Sequence, residues 1–139
     1  MSTDPASLQL AADLRAAVGE LVRLVRADTV LPQNQVGALG WLVREGPHTT
    51  AELADRQRVR HQSMARTVTL LLQAGLIRQQ PHPSDGRKVV LSATEAGVET
   101  LHEQRRRREQ RLAEVIEREL TEPERQVLRQ AVGLLRRIG

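Results

Sequence analysis

The side chains able to do chemistry in this chain are mostly guanidinium groups: 21 of the 139 residues are basic, and Lys88 is the one lysine among them. A guanidinium is a planar, permanently charged fork that matches phosphate oxygens and the O6/N7 edge of guanine. Its distribution is uneven. Between residues 56 and 90, Arg56, Arg58, Arg60, Arg66, Arg78, Arg87 and Lys88 oppose the single acid Asp85, a net charge of +6, although the formal total is only +4. The rest of the chain is therefore slightly acidic. A positive centre on a mixed-charge scaffold implies a polyanion-binding segment, with a well-solvated Arg-rich surface as the alternative.

Other chemistries find few candidates. The sequence contains no cysteine, which excludes disulfides, thiolate metal sites and thiol switches. His48, His61, His82 and His102 lack a metal-ligand spacing such as His-x-x-x-His, so no metal site is expected. No Ser/His/Asp set, Gly-rich phosphate loop or helix-borne carboxylate pair is present, so the chain reads as a non-enzyme needing no cofactor. No segment approaches the roughly 18 apolar residues of a membrane span. The N-terminus MSTDPASLQL also lacks a basic region followed by an apolar run, and the expectation is a cytoplasmic protein with no membrane partner.

The elements that position the basic centre follow from aliphatic periodicity, because Trp41 is the sole aromatic residue. Leu10, Leu14, Ala17, Leu21, Leu24 and Val25 mark one face of a helix from about Ser7 to Ala27, with Asp28-Thr29 following it. A second helix starts after Leu31-Pro32, carries Val36, Leu39, Leu42 and Val43, and stops at Gly46-Pro47. Thr49 precedes Glu52 at capping-box spacing and opens a helix of about two turns. After RQRVR, a helix of about three turns runs from His61 or Gln62 to Ala74, with Met64, Val68, Leu71 and Leu72 apolar and Gly75 ending it. Its other face shows Gln62, Ser63, Arg66, Thr69 and Gln73, and the two helices together fit a helix-turn-helix.

Leu76 to Gln80 looks extended, Pro81-His82-Pro83-Ser84-Asp85-Gly86 is rich in turn formers, and Arg87 to Leu91 looks like a returning strand. A hairpin with a basic tip at this point is a wing. Thr94 then caps a long helix reaching about Leu120, whose middle, HEQRRRREQR, has no apolar face. Arg105 to Arg108 fan through about 300° of a helix and so form no single binding stripe; a solvated connector is the expectation. Thr121, Pro123 and Glu124 open a last helix bearing Val127, Leu128, Ala131, Leu134, Leu135 and Ile138.

This order of elements resembles the MarR family of bacterial winged-helix regulators over nearly the whole chain. The segment PSDGRKVVLSATEAG at 83–97 is similar to the family's wing signature, with Asp85, Arg87, Thr94 and Gly97 matching and Ala93 replacing the usual leucine. AELADRQRVRHQSMARTVTLLLQAGLI is similar to its helix-turn-helix. The fold expected is mainly α with a small β-wing: a winged helix-turn-helix lobe plus a helical dimerisation region. On the resemblance, 1–139 is a single MarR-like domain, with the DNA-binding lobe at 31–93 and the dimerisation region at 6–28 and 94–139. The resemblance implies a two-fold homodimer built on the first, fifth and sixth helices. Aliphatic stripes at both chain ends agree with a partner surface, the alternative being that the termini pack on each other within one chain.

A recognition helix in the major groove would reach base edges through Arg60, Gln62, Ser63 and Arg66, with Arg66 or Arg60 on guanine and Gln62 on adenine. His61 could touch base or phosphate, and Thr69 lies closer to phosphate. Thr50, beside the capping Thr49, offers a helix N-terminus to a phosphate. Lys88 adds charge to the wing tip. The resemblance assigns Arg87 to the minor groove, Asp85 to orienting it and Gly86 to the tight turn. Trp41 is the one candidate for an effector pocket, core filling being the alternative. The expected function is a sequence-specific DNA-binding transcriptional regulator: a repressor that binds a pseudo-palindromic operator in double-stranded DNA as a homodimer and is released by a small-molecule effector. A constitutive architectural DNA binder and a helical protein-interaction module are the rivals.

Overall fold

The computed structural model describes residues 2–27 and 29–139. Asp28, read as following the first helix, lies outside the described residues. The chain forms α1 (Pro5–Arg26), α2 (Gln33–Glu45), α3 (Thr50–Gln57), α4 (His61–Gln73), β1 (Ile77–Pro81), β2 (Val89–Ala93), α5 (Glu95–Glu119) and α6 (Glu122–Ile138). Local chemistry sets these limits. The Thr49 hydroxyl accepts the Glu52 N–H at 3.1 Å, and Gly46 and Gly75 take positive φ where α2 and α4 end. At α6, Thr121 and Glu124 cap each other's backbone in both directions.

Two compact units result. Thr29–Arg106 is one, and Met1–Asp28 with Arg107–Gly139 is the other. The boundary on the C-terminal side thus falls inside α5 rather than at its start, so the first three turns of α5 belong with the winged lobe.

In the winged lobe, Leu39 of α2, Leu53 of α3, Leu71 of α4 and Leu91 of β2 are fully buried and form the centre of one core with Ala38, Leu42, Ala54, Met64, Val68 and Ile77. Burying each such leucine contributes about 1.5–3 kcal/mol relative to leaving it in water. β1 and β2 pair antiparallel from Ile77 opposite Ala93 to Pro81 opposite Val89, and His48 bridges the other side of β2 through both its backbone groups at Leu91.

Two polar contacts tie α5 to this lobe. The Thr94 hydroxyl donates to the Gly75 carbonyl at 2.7 Å and accepts the Gly97 N–H at 3.1 Å, so one residue caps both the exit of α4 and the entry of α5. A Cβ on Gly97 would run into the Leu76 carbonyl oxygen, which explains glycine there by close approach of backbone. Further along, Gln104 is 2% exposed, and its Oε1 accepts the N–H groups of Val30 at 3.1 Å and Leu31 at 2.8 Å. The expectation of a wholly solvated stretch around His102–Arg111 is corrected at this residue, because what buries Gln104 is hydrogen bonding to a loop, which leaves no apolar period.

The helical unit is organised differently. Neither α1 nor α6 has a buried residue. Leu10 and Leu14 of α1 and Ala131, Leu134, Leu135 and Ile138 of α6 instead line an open apolar groove of about 460 Å³.

Candidate nucleic-acid interface

The polar side of the helix-turn-helix begins at an unusual turn. Arg58, between α3 and α4, has φ 55° and is the one described non-glycine residue with positive φ. A side chain there raises the backbone energy by about 1 kcal/mol, where glycine would not. Arg60 is the N-cap of α4 but makes no side-chain cap, and its guanidinium stays exposed. His61 follows, its Nε2 at 2.9 Å from Asp55 Oδ1 of α3. That acidic partner directly precedes Arg56 in the chain and was not anticipated when His61 was read as touching base or phosphate.

Along α4, Met64, Thr67, Val68 and Leu71 are buried, and Gln62, Arg66, Thr69 and Gln73 are exposed. At about 100° per residue the four exposed residues fall within roughly 60° of one another. They form one stripe with a guanidinium in the middle and hydrogen-bonding side chains on either side. Thr69 Oγ1 donates to the Ala65 carbonyl at 3.0 Å, leaving its acceptor lone pairs outward.

Ser63, though exposed, lies about 100° from Gln62 around the helix. It lines a small cavity of about 220 Å³ with Gln33, Asn34, Gln57 and Thr67. Asn34 Nδ2 donates to Thr67 Oγ1 at 3.1 Å, and Thr67 in turn donates to the Ser63 carbonyl at 3.2 Å. The structure therefore groups Gln62, Arg66 and Thr69 and separates Ser63 from them. Asn34 was missed by sequence reasoning; the amide-rich start of α2, Gln33-Asn34-Gln35, was the available signal. Thr50 is half-buried as the first residue of α3.

The wing follows α4 directly. Arg87 is 93% exposed in its side chain, and Asp85 Oδ1 accepts both its backbone N–H at 3.1 Å and its Nε at 3.3 Å. These two bonds, the backbone one foremost, hold the Asp85 carboxyl below the ordinary aspartate range, with the charge of Lys88 adding to them. Lys88 is exposed beside them. Gly86 is not in the left-handed region, so the turn does not depend on glycine's conformational freedom. What holds it is side-chain capping: His82 Nδ1 accepts the N–H groups of Ser84 and Asp85, each at 3.1 Å. His82 is a second residue that sequence reasoning passed over.

Trp41 is half-buried against the lobe core. Its Nε1 donates to His48 Nε2 at 3.2 Å, and His48 Nδ1 donates to the Gly46 carbonyl at 2.8 Å, which fixes one imidazole tautomer. The indole N–H is thus already committed, and only the ring surface is left for any ligand. Among the described residues no group of three or more His, Asp and Glu is arranged to hold a metal, and no helix is long and apolar enough to cross a membrane.

Comparison with known proteins agrees with this fold. The model of the MarR family matches residues 31–88. The uncharacterized HTH-type transcriptional regulator Mb0904 of Mycobacterium bovis is 39% identical over 130 residues, spanning 91% of this chain and 90% of its own. A counterpart in Mycobacterium leprae, the uncharacterized HTH-type transcriptional regulator ML2140, is 37% identical over the same shares. Among solved structures, a Pseudomonas aeruginosa PA01 protein assigned as a transcriptional regulator superposes with a TM-score of 0.83 at 31% identity, covering 98% of this chain and 97% of that one. A MarR family protein from Bacillus stearothermophilus shares the fold, with a TM-score of 0.73 at 21% identity over 99% and 97% of the two chains.

Proposed function

We propose, for a chain that belongs to the MarR family of winged-helix transcriptional regulators, that it acts as a cytoplasmic repressor, binding a pseudo-palindromic operator as a homodimer. The observation carrying this reading is the exposed α4 stripe of Gln62, Arg66 and Thr69, followed in the chain by a wing whose Arg87 stands almost wholly in solvent. Gln62 and Arg66 have the donor and acceptor geometry for adenine and guanine edges in the major groove. Arg60, His61 and Ser63 border them, Thr50 and Thr69 offer phosphate contacts, and Lys88 adds charge at the wing. Arg87, oriented by Asp85, suits a narrow A·T-rich minor groove.

A homodimer is supported by the second unit. Leu134, Leu135 and Ile138 of α6 are exposed with Leu10 of α1, and a two-fold copy of the same face would cover them. Two lobes on one face of the duplex then read half-sites about one turn, roughly 34–36 Å, apart. Release by a small molecule completes the proposed cycle. Trp41 remains the candidate for its pocket through the ring surface alone, since its N–H is bound to His48.

Selection of bound duplexes from a random pool tests the reading, with a palindrome as the expected product. On that site, about 6 phosphate contacts make log affinity fall with log salt at a slope of about −5. The Arg66→Ala, Arg87→Ala double variant is expected to abolish specific binding. Salt-independent binding, or a double variant that binds like the parent, overturns the proposal.

A further inference from the structure

The wing tip is shaped by a relay of two side chains. His82 Nδ1 accepts the N–H groups of Ser84 and Asp85 at 3.1 Å each, and Asp85 Oδ1 accepts the N–H and Nε of Arg87 at 3.1 and 3.3 Å. The main chain closes around them, with Lys88 N donating to the Asp85 carbonyl and His82 N donating to the Lys88 carbonyl, both at 3.0 Å. The imidazole thus fixes the peptide units on either side of Ser84, and the carboxylate fixes the arginine. With Gly86 outside the left-handed region, no backbone preference of glycine holds this turn.

We propose that His82 is a positioning residue for the wing: its Nδ1, accepting the N–H groups of Ser84 and Asp85, holds the tip in the shape that presents Arg87 to DNA. The inference rests on the DNA-binding reading above and adds to it a residue that touches no DNA. Its basis is the hydrogen-bond inventory of the ring. The Nδ1 lone pair is the acceptor that both amides share, and without it neither the Ser84 nor the Asp85 N–H keeps this partner.

Variants of the whole chain separate the possibilities. His82→Asn keeps an acceptor near the Ser84 and Asp85 amides, and His82→Ala removes it. We expect His82→Ala to bind the selected operator about tenfold more weakly, the equivalent of about 1.4 kcal/mol, with His82→Asn close to the parent. In an Arg87→Ala background His82→Ala should have no further effect on binding. A reading independent of DNA is amide hydrogen exchange, which should quicken at Ser84 and Asp85 in His82→Ala but not in His82→Asn. Unchanged exchange in His82→Ala overturns the proposal, as does a loss of affinity that persists in the Arg87→Ala background. If exchange quickens and neither His82→Ala nor Arg87→Ala alters binding, the role assigned to the wing in DNA binding has failed instead.

Discussion

The winged lobe and the helical unit are built from similar aliphatic residues but use them in opposite ways. Leu39, Leu53, Leu71 and Leu91 are fully buried in the lobe, whereas Ile138 of α6 is 75% exposed and neither α1 nor α6 buries a single residue. The lobe completes its core within one chain. The helical unit presents a face that one chain leaves open, and its stability is expected to depend on protein concentration in a way that the lobe's does not. The contrast also separates two uses of helix periodicity: α4 hides its apolar stripe and shows its polar one, while α6 shows its apolar stripe.

Substitutions that strike one unit and spare the other would break this comparison. The largest effect is expected from a Leu134→Glu, Ile138→Glu double variant. Charges in the groove should turn a dimer into a monomer in sedimentation at micromolar concentration, while the lobe keeps its fold; a dimer that survives intact would remove the basis for the contrast. Gly97→Ala comes next. The added methyl meets the Leu76 backbone carbonyl, and overpacking of this kind costs about 1–3 kcal/mol, readable as a lower denaturant midpoint of the lobe with no change in association. The smallest effect is expected at Thr121→Ala, which removes one half of a capping box and should destabilise α6 by about 1 kcal/mol, visible as a lower thermal midpoint at low protein concentration.

Sequence reasoning located the elements well where a local device marks their ends. Thr49, Thr121 with Glu124, Gly46 and Gly75 are all short-range signals, and each acts in the structure as its type suggests, although at Thr49 only the hydroxyl half of the capping box is formed. It did poorly where a residue's role is set by partners distant in the chain. Gln104 looked like part of a solvated charged run, but Val30 and Leu31, more than 70 residues away in sequence, draw it inside. The pairing of His61 with Asp55 depends on how α3 and α4 meet, which composition does not encode, whereas the offset of Ser63 from the Gln62–Arg66–Thr69 stripe follows from helical spacing alone. At the wing, the assumption that glycine makes the turn hid the imidazole that holds it. The candidate residues could therefore be named from the sequence, while the partners that hold His61 and the wing tip could not.

Arg58 is a position where backbone and charge ask for different residues. A left-handed turn is most easily made by glycine, whereas the positive charge of this stretch of the chain is carried by guanidinium groups. A redesign guided by thermal stability alone would select glycine there and give up a positive charge, so the most stable lobe and the most strongly charged lobe are different sequences.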